Sequence, residues 1–292
     1  MKLDRFGLGI HAPAAGRAGD PGLFGPDSLV WRIARERVLL ASGPAALLLQ
    51  IAHPLVAEAV ARHSEFRRDP FGRLRATLGA TLTISFGDTE QVRAAAADVV
   101  ARHRTVRGRL VAASGGFAAG APYDALDPAL GLWVHTTLVW MGLDAYHQLV
   151  SPLSDLEQAG YYQESKRFAH QVGVPEDVLP ASHRDFLDYR DAMLECSAIE
   201  VGDVARALAK DIVHPPLPVP IGPGIVPLTV LTAGLLPEGV RRGFGMSWGI
   251  PERAGFRAVA ASLRAAVKVM PPALRYWPHY RTAVRRVGAL KP

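Results

Sequence analysis

Arg73 and Thr77 stand four residues apart in Asp69-Pro70-Phe71-Gly72-Arg73-Leu74-Arg75-Ala76-Thr77-Leu78. On a helix that spacing puts a guanidinium and a hydroxyl on one face, where both can meet the same small ligand. As exposed decoration such a pair is at least as common. His103 falls in a series with Val92, Ala96, Val99, Val106 and Leu110 at three- and four-residue steps. Its imidazole is therefore expected to point from an apolar helical stripe into the core, while Arg102, Arg104, Arg107 and Arg109 turn elsewhere. A buried ring needs a partner for each nitrogen, so by spacing His103 is either a hydrogen-bonded core histidine, the commoner case, or a ligand to a metal or cofactor. The same choice holds for His53 and His135, each set among apolar residues.

Other chemistries find less support. Gly245-Met246-Ser247-Trp248-Gly249 has the spacing of a hydrolase nucleophile elbow, but Leu236-Pro237-Glu238-Gly239-Val240-Arg241-Arg242 before it is not strand-like. Only Glu252 and His279 follow as triad partners, and an acid five residues after the nucleophile is hard to orient. No H-E-x-x-H or Glu-x-x-His pattern occurs, and Asp144 with His147 has metal-ligand spacing but no third ligand. No glycine-rich phosphate cradle follows a strand. One cysteine, Cys196, excludes a disulfide framework and thiolate-rich metal clusters, and fits a reducing compartment.

The elements that must position these residues are helical. Period-2 alternation is not evident, so the fold class expected is all-α. Helices are expected near Ser28 to Leu40, and from Gly43-Pro44 through Val60 with a bend at Pro54. A turn at Asp69-Pro70-Phe71-Gly72 launches a helix toward Phe86. Asp88-Thr89-Glu90-Gln91 is a capping-box pattern opening the helix that carries His103, and Ser154-Asp155-Leu156-Glu157 opens another to about Gln171. Ala113 to Ala121 reads as a loop, and Asp127-Pro128 starts a long helix through His135. Further helices are expected near Ser182 to Ser197, Val201 to Ile212, Ala254 to Val269 and Pro272 to Val287. His214 to Pro227 contains six prolines interleaved with apolar residues, and is expected to be an extended strap packed on the body.

The chain has 292 residues, 49% apolar and 21% charged, which describes a folded globular protein. No composition break demands a second domain, so residues 1–27 are taken as an extension and 28–292 as a single helical domain. Met1 to Asp20 is charged and lacks an apolar segment, so no secretory signal is expected and the protein is placed in the cytoplasm. Val38 to Val60 is apolar, but Gly43, Pro44, Gln50, His53, Pro54 and Glu58 interrupt it, as in a buried helix pair rather than a membrane span. The net charge of +6 is uneven: from Pro251 onward nine Lys/Arg stand against Glu252 alone. A basic end could face nucleic acid or anionic lipid, but its cations recur between apolar residues as on the wet face of amphipathic helices. No nucleic-acid partner is expected.

Several stretches together resemble one family. They are Ala52-His53-Pro54-Leu55-Val56-Ala57, the Asp69 to Leu78 segment, Phe86-Gly87, and His103 four residues before Arg107-Gly108. Pro122-Tyr123, Asp127-Pro128, Trp133 to Leu138, Leu235-Leu236-Pro237 and Gly243-Phe244-Gly245 complete the set. In kind and order they resemble the rubber oxygenase catalytic domain family, which includes latex-clearing and mycophenolate-pathway oxygenases, over roughly residues 30 to 260. The resemblance implies an all-helical domain with a globin-like core that holds haem b through one axial histidine. It also implies use of dioxygen on an apolar, isoprenoid-like substrate whose double bonds are cleaved to carbonyls. Residue by residue it makes His103 the proximal iron ligand, Arg73 and Thr77 the distal pair, and His135 a further histidine near the cofactor. Ala76 stands where latex-clearing enzymes carry a lysine. Two other classes fit the same residues: a haem-binding sensor or carrier without turnover, and a helical interaction protein that has lost the cofactor.

Overall fold

The computed structural model describes residues 10–11, 13–64, 69–213 and 222–288. Among them it is predominantly helical. Ser28 caps α1 (Leu29–Ala34) by accepting from the Trp31 amide, and a 3-10 helix (Arg37–Ser42) leads into α2 (Gly43–Ile51) and α3 (Pro54–His63). Then come α4 (Pro70–Phe86), α5 (Thr89–His103), a small hairpin of β1 (Arg107–Arg109) and β2 (Pro122–Asp124), and α6 (Pro128–Leu149). α7 (Asp155–Gln171), α8 (His183–Glu195), α9 (Asp203–Val213), α10 (Gly222–Leu235) and α11 (Glu238–Gly243) follow. The chain closes on α12 (Ile250–Val269), α13 (Pro272–Arg275) and α14 (Pro278–Gly288).

α6 is the axis of the packing. Asp127 starts it by accepting from the Ala129 amide, and it buries Trp133, Val139, Met141, Leu143, Tyr146 and Leu149 against α2, α7, α12 and the 3-10 helix. The main core adds Leu48, Leu49 and Ile51 from α2 and Ala205, Leu208 and Ile212 from α9. A second core of Phe24, Trp31, Leu82, Phe86, Trp277 and Ala283 seats the buried end of α4. Both expected capping boxes form: Asp88 accepts from the Gln91 amide at 2.8 Å while Gln91 accepts from the Asp88 amide, and Ser154 and Glu157 do likewise. Each such cap contributes about 1 kcal/mol.

Several expectations are corrected. The helix expected from Ser28 to Leu40 stops at Ala34, and the one expected from Pro272 to Val287 breaks at Tyr276 and Trp277. The two breaks have one cause: Glu36 and Tyr276 form an antiparallel bridge, and the Trp277 amide donates to the Arg35 carbonyl at 3.1 Å. At Pro54 the helix does not bend but ends, with His53 extended between α2 and α3. β1 and β2 pair antiparallel, Gly108 opposite Tyr123, where no strand was expected. Of the expected strap, 214–221 lies outside the described residues. Residues 222–227 are helical in α10, with Pro223 at its tolerated first turn and Pro227 inside the helix, and α10 as a whole packs against α12.

No single described helix is long and apolar enough to cross a membrane. Residues 37–51 and α3 are together apolar enough, but they meet at 111°.

The basic C-terminal part also has structural work. Arg264 donates to the His147 and Gln148 carbonyls at the end of α6, complementing that helix terminus. Arg275 reaches Glu36, which has no exposed surface, at 2.8 Å.

Candidate functional site

α4 and α5 form an antiparallel hairpin whose open end carries the expected residues. Asp69 starts α4 by accepting from the Gly72 amide at 2.7 Å. From there the helix is exposed at Arg73, Arg75, Ala76 and Thr77, and buried only at Leu82 and from Ile84 onward. Its N-terminal half therefore stands clear of the body while its C-terminal half is anchored. Arg73 and Thr77 do meet: Arg73 Nη1 donates to Thr77 Oγ1, and the Thr77 hydroxyl donates to the Arg73 carbonyl at 3.0 Å.

His103 is the last residue of α5 and is half-buried, so it ends the apolar stripe at a rim rather than in the core. Val106 and Leu110, expected to continue that stripe, lie beyond the helix because the chain turns at Arg104-Thr105 into β1. Burial, and then the Arg73 charge, hold the His103 pKa below its usual value, which leaves the ring neutral at pH 7. Among the described residues neither ring nitrogen of His103 has a hydrogen-bond partner. Arg73 is accessible to water, yet it is desolvated enough to lower its pKa, with Arg102 adding repulsion. The group is cationic and pairs a neutral imidazole with a guanidinium and a hydroxyl.

His135 is not brought into that group. It is buried on α6, with Nε2 3.4 Å from Ser165 Oγ of α7. Since the Ser165 hydroxyl donates to the Tyr162 carbonyl at 2.7 Å, its oxygen is left to accept from the ring. Burial, then repulsion from His170, lowers the His135 pKa to about 4. One helical turn on, Leu138 is 42% exposed between buried Thr137 and Val139, an accessible apolar patch on an otherwise buried helix. His53 is also buried, its ring 5.1 Å from that of Phe117 and its Nδ1 without a partner. Desolvation lowers its pKa to about 4.

A second polar group escaped sequence reasoning. On α3, Glu58 is buried and pairs with Arg62, and the neighbouring His63 Nε2 lies 3.2 Å from the hydroxyl of buried Tyr123 on β2. Burial raises the Tyr123 pKa. The i, i+4 spacing of Glu58 and Arg62 was a readable signal, but the contact with Tyr123 spans 60 residues. Beside it a shallow cleft of about 450 Å³ is lined by Arg107, Arg109, Tyr123, Asp124 and Asp127.

The weaker motifs resolve as structure. Ser247 follows α11 rather than a strand, in a loop where Gly245 has φ 68°, so no nucleophile elbow forms. Asp144 accepts from Trp140 Nε1 at 2.8 Å and His147 Nδ1 from the Leu153 amide at 3.2 Å, so each is tied into the local packing. Among the described residues no three His, Cys, Asp or Glu side chains converge. A cofactor held through one imidazole needs no such group.

Comparison with known proteins places these residues in context. The family model described as ER-bound oxygenase mpaB/B'/rubber oxygenase, catalytic domain, matches residues 30–265, a span holding Arg73, Thr77, His103 and His135. An uncharacterized protein of Mycobacterium tuberculosis is 30% identical over 240 residues, covering 78% of this chain and 89% of its own. An uncharacterized protein of Mycobacterium bovis has the same identity and coverage. No solved structure matches the chain significantly.

Proposed function

The chain belongs to the ER-bound oxygenase mpaB/B'/rubber oxygenase catalytic-domain family, and we propose that it is a haem b-dependent oxygenase that uses dioxygen on an apolar, isoprenoid-like substrate. The observation that carries this reading is the state of His103: neutral, at a rim, and without a hydrogen bond on either nitrogen among the described residues. At a rim, and not among the sealed-off ring nitrogens, the imidazole is within reach of an incoming ligand. A proximal ligand must be deprotonated and free to coordinate.

The other residues fit the group. Haem, when bound, supplies the redox chemistry with dioxygen. The Arg73 fork suits a carboxylate, of the cofactor or of a substrate, and its contact with Thr77 fixes its direction before any ligand arrives. The Thr77 proton rests on the Arg73 carbonyl, so the hydroxyl can turn to a ligand at the cost of one weak local bond. Ala76 is exposed and adds only a methyl group beside them. His135 stays neutral, buried on α6 against Ser165 and apart from these residues.

Haem-loaded protein incubated with squalene should consume oxygen and form carbonyl products. Thr77→Val should slow turnover roughly tenfold, and Arg73→Ala by roughly a hundredfold, the worth of one neutral and one charged hydrogen bond. Haem uptake with no oxygen consumption over a panel of apolar alkenes would make the protein a carrier and contradict an oxygenase.

A further inference from the structure

We propose that the outer face of α12 docks on an anionic lipid surface. α12 runs twenty residues, about 30 Å at the ordinary helical rise. Its inner face, Phe256, Ala260, Leu263 and Val267, packs toward the cores built on α6 and α10. A solvent-facing helix ordinarily turns charge outward on the opposite side. Here that side is Ile250, Ala254, Ala258, Ala261, Ala265 and Val269, exposed and without a charge, and its two end residues are each 83% exposed.

The cations lie along one edge of this face. Arg253, Arg257 and Lys268 are exposed, and among the described residues none has an acidic partner. The helix's one acid, Glu252, is turned back to accept from the Gly249 amide at 2.7 Å. Trp248, just before the helix, is turned to the other side, onto Phe256 of the inner face and buried Arg241, and is not part of this surface. An uncharged outer face bordered by a basic edge is the arrangement of a helix that lies against an anionic bilayer interface. Charge complementarity favours the same occupant, because Arg253, Arg257 and Lys268 border the face and the helix's one acid is turned away from them. A nucleic acid would need cations across the face to meet phosphates, and the alanines supply none. The inference is independent of the haem reading.

Flotation of the full chain with vesicles tests it. The protein should float with phosphatidylcholine vesicles containing phosphatidylglycerol, stay behind with phosphatidylcholine alone, and be released by salt. Arg253→Glu, Arg257→Glu and Lys268→Glu together should abolish flotation, at roughly a fivefold loss of partition per cation. Ala258→Asp, which sets a charge in the middle of the face, should weaken it with helical circular dichroism unchanged. Equal flotation without anionic lipid, or undiminished flotation of either folded variant, would overturn the proposal. So would a wild-type chain that never floats, including one that instead binds duplex DNA through the same three cations.

Discussion

A neutral imidazole next to a guanidinium is held in that state by its neighbours, and the same desolvation acts on histidines elsewhere in the molecule. His53, His135 and His279 are buried, and burial is the leading cause that takes each from 6.5 to about 4. Unfolded, each ring binds a proton near pH 6.5; folded, it resists until about pH 4. Stability is therefore complete above about pH 6.5 and falls as pH drops toward 4, by about 3 kcal/mol per histidine. Urea midpoints at pH 7.5 and pH 5 should differ accordingly, and His279→Leu, which cannot take up a proton, should flatten part of the fall. Arg73 and Thr77 were legible from sequence because i, i+4 geometry is local. The rim position of His103 was not, since it depends on where α5 gives way to the hairpin.

Elements whose signals are local matched expectation. α5 and α7 begin where their capping boxes place them, and α6 begins at Asp127. The misread elements were decided by distant partners. α1 and the last helical segment each read as continuous, yet each breaks to form the Glu36–Tyr276 bridge, across 240 residues that no local pattern reports. α10 reads as a proline strap because its prolines outweigh the apolar run that packs on α12. The bridge can be tested through its buried carboxylate. Arg275→Ala would leave Glu36 with Arg35 at 3.7 Å as its remaining cation, a loss of about 3 to 5 kcal/mol in chemical denaturation. Adding Glu36→Gln should recover part of it, because the unpaired charge goes with the partner.

Across the whole molecule, segments outside the matched span of 30–265 converge on the corner joining α4 to α5. Arg286 of α14 donates to the Asp20 carbonyl at 2.7 Å and to the Phe86 carbonyl at 2.8 Å. The Arg17 amide donates to Asp88 at 2.6 Å, and Gly22 approaches so closely that a Cβ there would lie 1.9 Å from the Gly87 carbonyl oxygen. The two ends of the chain thus clasp the closed end of the hairpin whose open end carries Arg73, Thr77 and His103. Arg286→Met should cost about 2 kcal/mol by stranding two carbonyls, and should speed amide exchange in residues 86–92 while leaving α8 unchanged. The account as a whole stands on what His103 holds. Haemin titrated into the purified protein should give a one-to-one Soret band that His103→Ala abolishes or shifts, with helical content unchanged. A protein that takes up no haemin, or a His103→Ala variant with the wild-type spectrum and affinity, would contradict it.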